Sequence, residues 1–159
     1  SYILDGGPCA VGVESTIVSF KDPDKPTILR YGGISKEEIE AIIGPVEEDL
    51  NKSSNPEAPG QLKKHYSPST KFVLTDNLDQ TLSELASDNC AVLHFDGGGT
   101  EDHHYYLSRA GELTEAARNL FGTLRKLDEL QYDLIIAEKV PARGLGMAIN
   151  DRLQRAASS

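Results

Sequence analysis

The sequence contains no tryptophan, one methionine and two cysteines in 159 residues. Cys9 and Cys90 stand far apart, with no C-x-x-C pair and no histidine at ligand spacing, which argues against a thiolate zinc site. Two reduced thiols are expected rather than a disulfide. Basic residues are also scarce: 16 Lys and Arg against 25 Asp and Glu leave a formal net charge of −9. A protein that grips a nucleic-acid backbone needs a basic surplus to displace counterions. The balance here argues against direct nucleic-acid binding by this chain. No apolar run approaches the roughly 20 residues of a membrane-spanning helix, and no basic, then apolar, then small-residue leader opens the sequence. The expectation is a cytoplasmic protein with no membrane partner. Gly-x-Gly-x-x-Gly, Walker A and Gly-x-Ser-x-Gly motifs are all missing. No catalytic residue and no metal ligand is therefore assigned. The adjacent His103 and His104 cannot share a helix face as i, i+4 ligands do.

What is present divides into three parts. The length suits one medium domain, or a small one plus a piece of another, and an opening Ser1 in place of Met suggests a piece of a longer chain. Residues 1–50 carry β-like runs at 14–20 and 27–31, separated by a turn at 21–26 rich in Asp, Lys and Pro. Ser35 with Glu38 three residues on reads as a capping box. The helix that follows places Ile39, Ile42 and Ile43 on one face and stops at Gly44-Pro45. One hairpin and one helix bury too little surface to make a comfortable domain alone. Residues 51–68 lack any helical or strand period and read as a linker by composition, one expected to be held in place.

Residues 69–159 alternate strand and helix patterns. Strands are expected at 71–74, 91–95, 105–107 and 133–137, the last apolar without alternation, as in a strand buried on both faces. Asp76 or Asn77 caps a helix with Leu78, Leu82 and Leu85 on one face. Leu113, Ala117, Leu120, Leu124 and Leu127 step through a longer helix, and Gly144-Leu145-Gly146 opens the last one. The fold class is α/β: a small Rossmann-like, mostly parallel sheet with flanking helices, preceded by a hairpin and helix.

Several groups of residues carry chemical interest. Ser15 and Thr16 place two hydroxyls at a strand entrance, where they suit a carboxylate, an amine or a phosphate. They also simply fit a hairpin strand. Arg30 ends the next run beside Gly32-Gly33, suited to an anion or to an exposed strand end. Lys63-Lys64-His65-Tyr66 is a compact basic and aromatic cluster, able to lie over a nucleotide or to remain a solvated linker. Gly97-Gly98-Gly99 and Gly144-x-Gly146 sit where open α/β sheets take ligands, and turn geometry explains them equally. Asp128 and Glu129 read as a solvated face.

Taken in order, several strings resemble one family. Asp5-Gly6-Gly7-Pro8-Cys9, Gly12-Val13-Glu14-Ser15-Thr16-Ile17-Val18 and Ile28-Leu29-Arg30-Tyr31-Gly32-Gly33-Ile34 resemble the end of a YrdC-type threonylcarbamoyl-AMP synthase domain. Residues 59–68, Pro-Gly-Gln-Leu-Lys-Lys-His-Tyr-Ser-Pro, resemble the linker of its two-domain form, and residues 144–153 the end of its C-terminal accessory domain. The resemblance divides the chain into the end of a YrdC-like domain (1–50), a linker (51–68) and a Rossmann-like accessory domain (69–159). It implies an enzyme joining L-threonine, bicarbonate and ATP, with Mg2+, into threonylcarbamoyl-adenylate for tRNA modification. It places Ser15 and Thr16 on the strand that helps hold threonine and ATP, Arg30 near the nucleotide phosphates, and His65 and Tyr66 across the mouth of the site. The family's upstream Lys/Arg strand and Ser-x-Ser-Ala-Asn motif have no counterpart here. This chain is therefore expected to supply the linker and accessory unit that control access, and to be inactive alone. TRNA-modification proteins are expected partners. Two other readings are a nucleotide- or partner-binding regulatory module and a translation-associated double-stranded-RNA-binding protein, the latter opposed by the charge.

Overall fold

The computed structural model describes residues 2, 4, 7, 9–50, 68–85, 87–99 and 101–158. Two sheets organise them. The first joins β1 (Ile17–Ser19), β2 (Thr27–Arg30) and β3 (Glu47–Glu48) in that order. β1 and β2 form the expected antiparallel hairpin, with a register irregularity between Ile17 and Val18. β3 then runs parallel to β2, pairing Thr27 with Glu47 and Ile28 with Glu48. Nothing in a pair of exposed glutamates marks a strand; it exists because β2 offers it a ladder.

Between β2 and β3 lies α1 (Lys36–Ile43). Ser35 caps it as expected: its hydroxyl accepts from the Glu38 N–H at 3.2 Å, and its own N–H donates to Glu38 Oε2 at 2.8 Å. The apolar stripe behaves differently from its pattern. Ile39 packs on the cluster of Ile28, Tyr31, Val46 and Ala148, whereas Ile42 and Ile43 are exposed. Periodicity marks which face is apolar; only a packed partner buries it.

The second sheet has four strands, all parallel: β4 (Lys71–Thr75), β5 (Cys90–His94), β6 (His104–Tyr106) and β7 (Leu134–Glu138), in spatial order β4-β7-β5-β6. The last strand in sequence is thus inserted between the first two, which is why residues 134–137 are apolar throughout and all buried. α2 (Leu78–Leu85), N-capped by the Asn77 side chain at 3.2 Å from the Gln80 N–H, covers one face through Leu78 and Leu82. Leu85, expected on the same face, is exposed. α3 (Leu113–Glu129) and α4 (Gly146–Ala156) cover the other face. Ala117, Leu120, Leu124 and Leu127 join Ile135, Ala137, Ile149 and Leu153 in the main core. The expected parallel α/β architecture is present. Both cysteines are free thiols, Cys9 exposed and Cys90 buried. Among the described residues, no helix is long and apolar enough to cross a membrane.

Asp128 departs from its expected solvated role. Its Oδ1 accepts from the Ser69 hydroxyl (2.9 Å), the Thr70 N–H (3.0 Å) and the Thr70 hydroxyl (3.0 Å). Burial works to raise its pKa, but these donors outweigh it and the net shift is downward. The carboxylate pins the entry of β4 to the end of α3.

Candidate functional site at the hairpin and α4

Ser15 and Arg30, fifteen positions apart, meet across the hairpin. The Arg30 guanidinium donates to the Ser15 carbonyl from Nε (3.0 Å) and Nη2 (2.9 Å), and Nη2 also reaches Ser15 Oγ (3.0 Å). The guanidinium is thereby fixed in direction, and the exposed Ser15 hydroxyl, already accepting, keeps its proton for an incoming acceptor. An oriented cation beside a hydroxyl donor suits a carboxylate or phosphate oxygen. Thr16 is spent differently. Its hydroxyl donates to the Ile34 carbonyl (2.6 Å) and accepts from the Ile34 N–H (3.1 Å). It ties residue 34 to the strand entrance, and a lone pair is what it has left to offer. Gly33 N–H donates to the Glu14 carbonyl at 2.8 Å. A Cβ on Gly32 would collide with the backbone of residues 14–16, so glycine is needed there for close approach. His65 and Tyr66 lie outside the described residues.

The same segment is gripped from α4. Arg152, with a side chain 4% exposed, donates to Glu14 Oε2 from Nε (2.9 Å) and Nη2 (2.7 Å), and from Nη2 to the Tyr31 carbonyl (3.0 Å). Its Nη1 bonds Asp151 Oδ2, which Arg155 also engages. Burial pushes the Glu14 carboxyl up, but the Arg152 hydrogen bonds and charge outweigh it, and the net shift is downward. Sequence reading missed Arg152 as a site residue. The available signal was an arginine between Ala148 and Arg155 on a helix that also buries Ile149 and Leu153.

Two cavities reach the size of a small-ligand site. One of about 410 Å3 opens between residues 9–14 and α3, with Cys9, Glu14, Phe121 and Arg125 in its wall. There the backbone N–H groups of Gly12 and Val11 hold the Cys9 thiol below its ordinary value. Gly12, at φ +78°, packs directly on the α3 backbone at Ala117 and Arg118. The other, about 380 Å3, lies at the carboxyl ends of β4, β5 and β7. Asp76, Asp96 and Glu138 line it, with Lys139 paired to Asp76 at 2.7 Å and Glu138 accepting the Phe95 N–H. Among the described residues no group of three or more His, Cys, Asp or Glu is placed to hold a metal ion.

The fold and the sequence agree with one family. Residues 34–158 match the family model described as "Threonylcarbamoyl-AMP synthase, C-terminal domain". The threonylcarbamoyl-AMP synthase of Bacillus subtilis (strain 168) is 36% identical over 167 residues, covering 98% of this chain and 48% of that protein. The synthase of Pyrococcus abyssi is 34% identical over 97% of this chain and 48% of its own length. The crystal structure of P. abyssi Sua5 complexed with L-threonine superposes at TM-score 0.80 and 33% identity, covering 96% of this chain and 48% of that one. A double variant of P. abyssi Sua5, with adjacent histidine and tyrosine changed to alanine, superposes at TM-score 0.79 and 32% identity, over 96% of this chain and 47% of that one. This chain belongs to the threonylcarbamoyl-AMP synthase C-terminal domain family. It spans about half the length of the curated relatives it matches.

Proposed function

We propose that the chain supplies the C-terminal half of an L-threonylcarbamoyl-AMP synthase. The complete enzyme joins L-threonine, bicarbonate and MgATP into threonylcarbamoyl-adenylate and releases pyrophosphate, in the cytoplasm, for proteins that modify tRNA. The observation that carries this reading is the likeness over nearly the whole chain to a synthase solved with L-threonine. The Ser15–Arg30 pair supports it from chemistry. All three substrates carry negative groups, and a chain of net charge −9 must hold them with locally oriented donors. Arg30 supplies a fixed positive charge beside phosphate, Ser15 a hydroxyl proton, and Thr16 the shape of the strand.

His65 and Tyr66 complete the proposed set. The double variant of P. abyssi Sua5 alters an adjacent His–Tyr pair. This chain has two such pairs, His65-Tyr66 and His104-Tyr105. The second is committed inside the sheet: His104 bonds His94 (2.8 Å) and Tyr105 bonds Tyr132 (2.8 Å). We carry the mouth of the site over to His65-Tyr66 on the family resemblance of residues 59–68.

The test is pyrophosphate release by the full-length synthase carrying this chain as its C-terminal half. Release should require L-threonine and bicarbonate together. Arg30→Met should lower kcat/KM by about 10²-fold or more, the usual loss when a charge-stabilising donor is removed. The chain alone should release none. Release that ignores threonine, or an Arg30→Met enzyme at full rate, would refute the reading.

A further inference from the structure

Ser15 and Arg30 belong to a closed ring of contacts that passes through α4. Arg30 bonds Ser15 directly. Glu14, the neighbour of Ser15, receives two bonds from Arg152, and Tyr31, the neighbour of Arg30, gives Arg152 its carbonyl. One guanidinium on the last helix thus holds the segment that leads into β1 and the residue that follows β2, each next to a site residue. The sequence separation of 138 positions between Glu14 and Arg152 makes this a link between the hairpin unit and the parallel-sheet unit. Ala148, one turn before Arg152, packs in the cluster of Ile28, Tyr31 and Val46, so the helix face and the hairpin are in direct contact.

A buried ion pair is a poor device for stability alone, because desolvation offsets most of the attraction. What it supplies is direction. A planar fork meets the Glu14 carboxylate, the Tyr31 carbonyl and Asp151 at once; an ammonium on a flexible stem cannot keep all three in one geometry. We propose that Arg152 is a positioning residue for the substrate site, through which the C-terminal helix sets the spacing of Ser15 and Arg30. The proposal rests on the assignment of that pair to substrate in the preceding section.

The test uses Arg152→Lys and Glu14→Gln in the full-length synthase, with Arg152→Met as the severe variant. Two readouts are needed. In Arg152→Lys, KM for L-threonine and for ATP should rise about tenfold, the equivalent of one charge-assisted hydrogen bond, while kcat falls less. Amide hydrogen exchange at Gly33 and Ile34 should quicken by about the same factor, with the β5 and β7 amides unchanged. Glu14→Gln, which keeps an acceptor but loses the charge, should fall between wild type and Arg152→Lys on both readouts. If Arg152→Met fails to fold, the two milder variants still decide. Wild-type KM values in a folded Arg152→Lys enzyme would overturn the positioning role, as would unchanged exchange at Gly33 and Ile34. A wild-type enzyme that makes no threonylcarbamoyl-adenylate would sink the functional reading instead, and the exchange data would then decide the coupling by themselves.

Discussion

Asn150→Ala should destabilise the protein well beyond what a half-buried polar residue suggests. The Asn150 amide clamps one residue on both sides: its Oδ1 accepts the Val140 N–H at 3.0 Å, and its Nδ2 donates to the Val140 carbonyl at 2.8 Å. Val140 is 3% exposed and sits in the main core just after β7. Truncation leaves one buried donor and one buried acceptor without partners. At about 1–3 kcal/mol for each unsatisfied group, the expected cost is about 2–6 kcal/mol. For a chain of this size that corresponds to a fall of about 4–24 °C in Tm. Thermal unfolding followed by circular dichroism measures it. Gln154→Ala, on the exposed side of the same helix, is the control, and should stay within about 0.5 kcal/mol. If Asn150→Ala melts within about 2 °C of wild type, the clamp contributes nothing and the reasoning fails.

Two further outcomes are expected. Gly12→Val puts a branched side chain at φ +78° and against the α3 backbone at Ala117 and Arg118; it should cost more than about 2 kcal/mol and speed proteolysis of residues 9–34, and a variant with wild-type Tm and protease resistance would contradict the close approach. Acid should unfold the protein in two stages. His94 is held below its ordinary 6.5, first by burial, so stability is complete above that value and declines as pH falls from it towards the folded pKa. Glu14 and Glu48 are held below 4.5, so a steeper loss follows as pH falls below that value and through their folded pKa values. Tm measured across pH 8 to 3 checks both stages; a Tm that rises on acidification below 4.5 would be incompatible with the paired carboxylates.

The parts of this fold that sequence revealed are those decided locally. Ser35 and Glu38 lie three residues apart, and their reciprocal bonds need no distant partner. The unbroken apolar run of β7 announced a strand covered on both sides, and the steps of α3 announced its core face. The parts that stayed hidden depend on contacts across long separations. β3 is two exposed glutamates made into a strand by β2. Asp128 looked solvated because its donors, Ser69 and Thr70, lie nearly sixty residues earlier. Ser15 and Arg30 were legible as site candidates, being a hydroxyl and a guanidinium at two strand ends, but their direct bond was not. Arg152 was the least legible, since a charged residue in a helix is ordinarily a surface residue.

The distribution of charge bears on the positioning role proposed for Arg152. Open α/β sheets take ligands at the carboxyl ends of their strands, where helix termini and glycine loops cradle phosphate. Here that edge presents Asp76, Asp96 and Glu138, and Lys139 is already paired with Asp76. Gly97 and Gly99 lie against the Tyr106 ring, which occupies the space an approaching ligand would use. A nucleotide there would face these carboxylates, with the Arg109 guanidinium beside Gly98 as the cation at the loop. The buried arginines stand elsewhere, on α4, with Arg152 turned toward the hairpin that carries Ser15 and Arg30. Arg155 pairs with Asp151 on α4 itself, so under the positioning role proposed for Arg152 it is that one guanidinium that makes α4 a brace for the Ser15–Arg30 pair. Asn150, two residues from Arg152, fixes where the brace begins by holding α4 to the end of β7.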